Sequence, residues 1–289
     1  MKLGFNEGTT YKSATLMGNL ELYEKLGYDF IEPRSTEQIP NYLAEGNTLE
    51  DLKAWFDQHK LKPLTLNTLC FFNNRSEEDE QAIIEEFTKY LTIAHKIGCP
   101  NIAMVPSHRE HMKNEKTSLT EINQDNARML KKFGLMAKEY DIKLDLEFIG
   151  LPQSTVNTFK QAVDIIEMVD MDNVGIIYDT FQCQGMGSRP EDINESNIKY
   201  IFSFHINDVD DLVTGHMTDD DRCWPGEGII NLDSHIKALL KFGYDDVTTI
   251  ELFRPEYYEM DPEYVIKKSK ETMVEVLSRN GVKLGQAVN

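Results

Sequence analysis

Hydrophobic positions along the chain alternate between two periods. Short apolar runs occur at Leu3–Asn6, Phe30–Glu32, Pro63–Leu69, Ile102–Val105, Lys143–Glu147, Val174–Asp179, Ile201–His205 and Val247–Leu252. Their length and their Ile, Leu, Val and Phe content are what parallel strands covered on both faces need. Longer amphipathic stretches lie between them, among them Asn19–Leu26, Leu49–His59, Asp79–Ile97, Glu121–Tyr140, Thr158–Val169 and Pro262–Arg279. Thr158 is placed to cap its helix, Pro262 sits in a first turn, and Gly27 and Gly98 follow helix ends. Eight strands alternating with helices predict a parallel α/β fold, and eight is the number at which the common (β/α)8 TIM barrel closes. No Pro/Gly/Ser-rich linker breaks the series, so residues 1–289 read as a single barrel domain. A doubly wound open sheet would bring a glycine-rich phosphate loop after its first strand, and Asn6-Glu7-Gly8-Thr9-Thr10 is not one.

Composition narrows the partners. A formal charge of −19 opposes nucleic acid, whose binding depends on Lys and Arg displacing counterions, and opposes anionic membranes for the same reason. Its plainest meaning is a solvated acidic coat. Cys70, Cys99, Cys183 and Cys223 are far apart and form no CxxC pair, which suits a reducing compartment better than a disulfide framework. Glu7 arrives before any apolar stretch of signal-peptide length, and no segment approaches the roughly 20 apolar residues of a membrane helix. A cytoplasmic protein is expected.

Four of the later strands end in polar residues: Leu-Asp-Leu-Glu147, Ile-Ile-Tyr-Asp179, Phe-Ser-Phe-His205 and Thr-Ile-Glu251. In a barrel the carboxyl ends of the strands surround the active-site mouth, so these four should converge on one half of it. Taken singly, each carboxylate could be an N-cap or an ion-pair partner, and His205 a hydrogen-bonded core histidine. Together, three carboxylates in one cleft repel each other, and a divalent cation removes that cost. The mixed oxygen and nitrogen set suits Mn, Zn, Mg or Co.

The segment Asp208–Ile230 is the expected lid or substrate loop. Within it Arg222 could donate to polyol hydroxyls, against the plainer reading of a pair with Asp221, and Trp224 could wall the pocket. A phosphate-binding nest at Gly226–Gly228 is conceivable, but the flanking carboxylates favour a small neutral polyol or ketose over an anion. Gly185-Met186-Gly187 is too short to make a phosphate loop. His108 and His111 lie after the fourth strand on the functional side, where loop solvation competes with substrate contact. His59 falls near a helix end, His95 and His235 on exposed or boundary helix faces, and His216 in a polar loop.

The order Glu, Asp, His, Glu at strand ends resembles the xylose-isomerase-like superfamily. Phe71-Phe72-Asn73-Asn74-Arg75, Glu147-Phe148-Ile149-Gly150-Leu151-Pro152-Gln153, Thr155-Val156-Asn157-Thr158-Phe159, Asp221-Arg222-Cys223-Trp224-Pro225-Gly226 and Glu251-Leu252-Phe253-Arg254-Pro255-Glu256-Tyr257-Tyr258 narrow it to the 2-keto-myo-inositol (inosose) isomerases of inositol catabolism. The resemblance runs over nearly the whole chain. It implies one divalent metal ion on Glu147, Asp179, His205 and Glu251, proton exchange with substrate carbon by Glu147 and Glu251, and substrate contacts from Gln153 and Arg222. One departure stands out: many relatives carry His three residues after the strand-six aspartate, and here that residue is Gln182, which hydrogen-bonds but does not titrate.

The expected chemistry is isomerisation of an α-hydroxyketone through an enediolate, with a glutamate moving the proton between adjacent carbons. Ketose 3-epimerisation, hydroxypyruvate isomerisation and dehydration of the inosose are neighbouring outcomes of the same site. A metal- and polyol-binding protein without turnover is the non-enzyme alternative. Abasic-site DNA repair on this scaffold is opposed by Cys223 after Asp221-Arg222, by Glu32-Pro33-Arg34 and Asn67 where that class has histidines, and by the charge.

Overall fold

Every strand expected from the apolar runs forms, and side-chain alternation explains where each residue goes. The computed structural model describes residues 1–285. The strands are β1 (Lys2–Asn6), β2 (Phe30–Glu32), β3 (Lys62–Pro63), β4 (Thr65–Cys70), β5 (Asn101–Val105), β6 (Lys143–Glu147), β7 (Val174–Asp179), β8 (Ile201–Ile206), β9 (Asp208–Val209), β10 (Arg222–Cys223) and β11 (Val247–Ile250). All except β9 and β10 join one parallel sheet in the order β3-β2-β1-β11-β8-β7-β6-β5-β4. β3 and β4 are two parts of one stave interrupted at Leu64. β3 pairs with β2, β4 pairs with β5, and a parallel bridge from Arg34 to Asn67 joins the two sides. The ring therefore has eight staves, a TIM barrel.

The helices are α1 (Leu16–Lys25), α2 (Gln38–Ala44), α3 (Leu49–Gln58), α4 (Glu77–Ile97), α5 (Leu119–Lys138), α6 (Phe159–Val169), α7 (Thr180–Met186), α8 (Leu232–Lys241), α9 (Pro255–Tyr258) and α10 (Pro262–Arg279). Thr158 accepts from the Gln161 amide at the start of α6, and Gly98 ends α4 at φ 75°, a left-handed conformation that glycine adopts without steric cost. His235 differs from the expected boundary position. It is buried in α8, with its Nδ1 2.8 Å from the Tyr178 hydroxyl.

Outward-facing residues such as Tyr178 and Phe204 pack under the helices, with Tyr178 edge-on to Phe159 of α6. The inward face is less apolar than a strand covered on both sides implies. Asp145 accepts from Ser203 across the barrel at 3.1 Å, and Thr65 and Thr249 are buried as well. Because side chains alternate along a strand, Asp145, Ser203 and Thr249 lie one step below Glu147, His205 and Glu251 on the same face. Among the described residues, no helix is long and apolar enough to cross a membrane.

Candidate metal centre

Glu147, Asp179, His205 and Glu251 stand at the carboxyl ends of four consecutive staves, β6, β7, β8 and β11, with Glu251 one residue past its strand. Parallel register sets these ends level, with Asp179 opposite His205 in the β7–β8 pair. One donor atom from each of the four lies within 4.8 Å of the others, and all four residues are buried.

Each donor is oriented by a neighbour. His205 Nε2 meets Glu32 at 3.1 Å, and Glu32 also accepts from the Asn6 and Asn67 side-chain amides at 3.0 and 3.1 Å. The imidazole Nδ1 is thereby turned into the cluster, 3.4 Å from Glu251 and 3.9 Å from Asp179, without a hydrogen bond of its own. A ring nitrogen left unpartnered among carboxylates, with the opposite nitrogen held by a carboxylate, is the arrangement of a metal-binding histidine. Asp179 serves twice. Its Oδ1 caps α7 by accepting from the Gln182 amide at 2.9 Å, while Oδ2 accepts from Asn207 at 2.8 Å and from Arg222 at 3.0 Å.

Arg222 is fully buried. Its Nη1 reaches both Asp179 and Glu251 at 3.0 Å, and Asp219, not Asp221, takes the other side of the guanidinium. Phe181 and Phe253 sandwich it, 4.5 and 5.3 Å from their ring centres. Weakly hydrated and planar, Arg is suited to this position.

The charges are strongly coupled. Burial pushes the Glu147 carboxyl well up, and the charge of Glu251 adds to the effect. Burial also raises Glu251, but Arg222 and His205 outweigh it and hold that carboxyl at about 2. His205 is pushed down by burial, yet Glu32 and Glu251 keep it well above the ordinary imidazole value. A proton and a divalent cation are alternative ways of balancing these carboxylates.

The remaining expected contacts are dispersed. Gln182 is buried, and its Oε1 accepts from the Gly150 amide at 2.7 Å, binding α7 to the loop after β6. Gln153 is exposed on that loop. Trp224 is buried, stacks on Tyr257 with ring centres 3.9 Å apart, and donates to Ser269 of α10. The Gly226 and Ile230 amides are occupied by the Asp208 carboxylate, at 3.0 and 2.8 Å, so the turn at Gly226–Gly228 is closed by the chain's own anion. Arg254 forks onto Asp210 at 3.0 and 2.9 Å and anchors the base of the 208–230 loop. Glu32, which holds the His205 ring, is not among the candidate site residues that the sequence offers. Its signal was the same one, a carboxylate closing a buried strand.

The profile of the family described as xylose isomerase-like TIM barrel matches residues 20–276. An inosose isomerase of Bacillus velezensis is 44% identical over 96% of this chain and 98% of its own length. One of Bacillus subtilis is 43% identical over 96% of this chain and 99% of its own length. The crystal structure of the IolI protein with a bound zinc atom superposes with a TM-score of 0.93 at 42% identity, covering 97% of this chain and 99% of that one.

Proposed function

The chain belongs to the xylose isomerase-like TIM barrel family, within its inosose isomerases, and from that premise we propose that it is a divalent-metal-dependent inosose isomerase. The observation that carries this reading is the buried set of Glu147, Asp179, His205 and Glu251, with donor atoms within 4.8 Å. Full-length likeness to curated inosose isomerases and to a zinc-bound structure supports it. The four residues would hold one cation, with zinc the metal of the similar structure. When bound, that cation supplies Lewis acidity toward a carbonyl oxygen and the neighbouring hydroxyl oxygen.

The chain's own groups do the rest. Glu147 and Glu251 stand at the two ends of the four-stave arc, with Asp179 and His205 between them, so a ketose seated there has a carboxylate on either flank. One glutamate takes the proton α to the carbonyl, and the resulting enediolate receives a proton on the neighbouring carbon from the same or the opposite glutamate. Arg222 steadies Asp179 and Glu251 from between two aromatic rings, and Glu32 keeps the His205 ring in its orientation. The substrate is a small neutral cyclic ketose, and the site of action is the cytoplasm.

Metal-loaded protein incubated with inosose in D₂O and followed by NMR tests the proposal. The expected result is a new isomer carrying deuterium at the exchanged carbon. Binding of the ketose without deuterium exchange, or loss of water to an unsaturated product, would replace isomerisation by a binding or dehydratase role. Glu251→Gln should bind metal less tightly and give no exchange.

A further inference from the structure

A second cluster of metal-binding side chains stands on the same rim, outside the four-residue centre. The chain leaves β5 and forms a single 3₁₀ turn at Arg109–His111, with His108 as its N-cap. His108, its backbone extended ahead of the turn, and His111 at the turn's end bring their ring centres to 5.7 Å from each other. Glu110 joins them. One donor atom from each of His108, Glu110 and His111 lies within 4.8 Å of the other two.

Two further features point to a ligand. His111 Nδ1 is buried without a hydrogen-bond partner, which costs free energy unless something satisfies it. Phe71, following β4, stacks on His111 at 3.9 Å between ring centres and fixes the plane of that ring. From this geometry we infer a second divalent transition-metal site at His108, Glu110 and His111, with the three side chains as ligands and the remaining positions open to water. Two imidazoles and one carboxylate select zinc and its neighbours over magnesium or calcium, which prefer all-oxygen ligands. Burial and the nearby His111 also push His108 below the ordinary imidazole value, and a neutral ring is the form that binds metal. The turn lies among the loops at the barrel mouth, and because all three ligands come from it, the ion would rigidify this stretch of the segment between β5 and α5.

Metal counting on the full chain tests this. Protein stripped with chelator, reloaded with Zn²⁺ and dialysed at micromolar free zinc should carry one zinc more per chain than His108→Ala/His111→Ala handled identically. Circular dichroism should be the same for both. Glu110→Gln, a milder change on an exposed side chain, should weaken the additional site by about tenfold or more. Equal zinc content in wild type and the double variant would overturn the proposal. Should the double variant lose its fold, a Glu110→Gln affinity indistinguishable from wild type would overturn it just as well.

Discussion

Glu32 reaches the rim through one imidazole. It accepts from two asparagine amides and faces His205 Nε2, so its charge is both anchored and aimed. Glu32→Gln keeps the shape but removes the charge that orients and strengthens the ring, and metal affinity should fall about 10–100-fold. Titration with a competing chelator measures this, and unchanged affinity would mean the ring is held by packing alone. His235 offers a separate residue-scale prediction. Burial, set only weakly against by Glu191, lowers its pKa to about 4. Above the ordinary value of ~6.5 neither folded nor unfolded imidazole is charged. As pH falls from there toward 4, the unfolded chain takes up the proton and the folded one does not, so stability declines across that window. From this group alone the loss at pH 5 is about 2 kcal/mol. Urea melts of wild type and His235→Gln at pH 7.5 and pH 5 should show the variant losing less by that margin.

Short α7 carries more of the site than its length suggests. Asp179 caps it, Gln182 ties it to Gly150, and Phe181 covers Arg222. Its contact with the loop after β6 is backbone against backbone: a Cβ on Gly185 would lie 2.1 Å from the Gly150 carbonyl oxygen. No rotamer change relieves that clash. Gly185→Ala should cost about 1–3 kcal/mol in denaturant melts and lower metal content together with stability, because α7 moves with its cap. Neither effect would appear if the loop simply yielded. The staves were legible because each is a short apolar run between turn residues. The convergence of Glu147, Asp179, His205 and Glu251 was legible because a charge closing such a run has no packing reason to be there. The break at Leu64 was hidden, since the run Pro63–Leu69 is continuous in character and only pairing divides it. The position of Arg222 between two rings, and the turning of Trp224 onto Tyr257, depend on loop geometry that no local pattern encodes.

Across the whole molecule the charge of −19 is the dominant long-range term. Ion pairs such as Arg128 with Glu80 and Asp125 offset it locally, but the excess remains. At 10 mM salt like charges repel over roughly 30 Å of solvent, and 0.1 M salt shortens that reach to about 10 Å. The melting temperature should rise between 10 and 200 mM NaCl; a fall would mean that attractive pairs outweigh the net repulsion.

Glu251 directly follows β11, the stave that pairs with β1 on one side and β8 on the other. A ribosome delivers that stave after all the others, so a nascent chain holds only three of the four donors, and its ring has a gap where β11 belongs. Pairing across some 245 residues of intervening chain (Lys2 to Val247) is a late event in folding. If the four side chains hold the cation together, full affinity waits for β11, and a stalled chain ending before residue 247 should let zinc go at concentrations where the finished barrel keeps it.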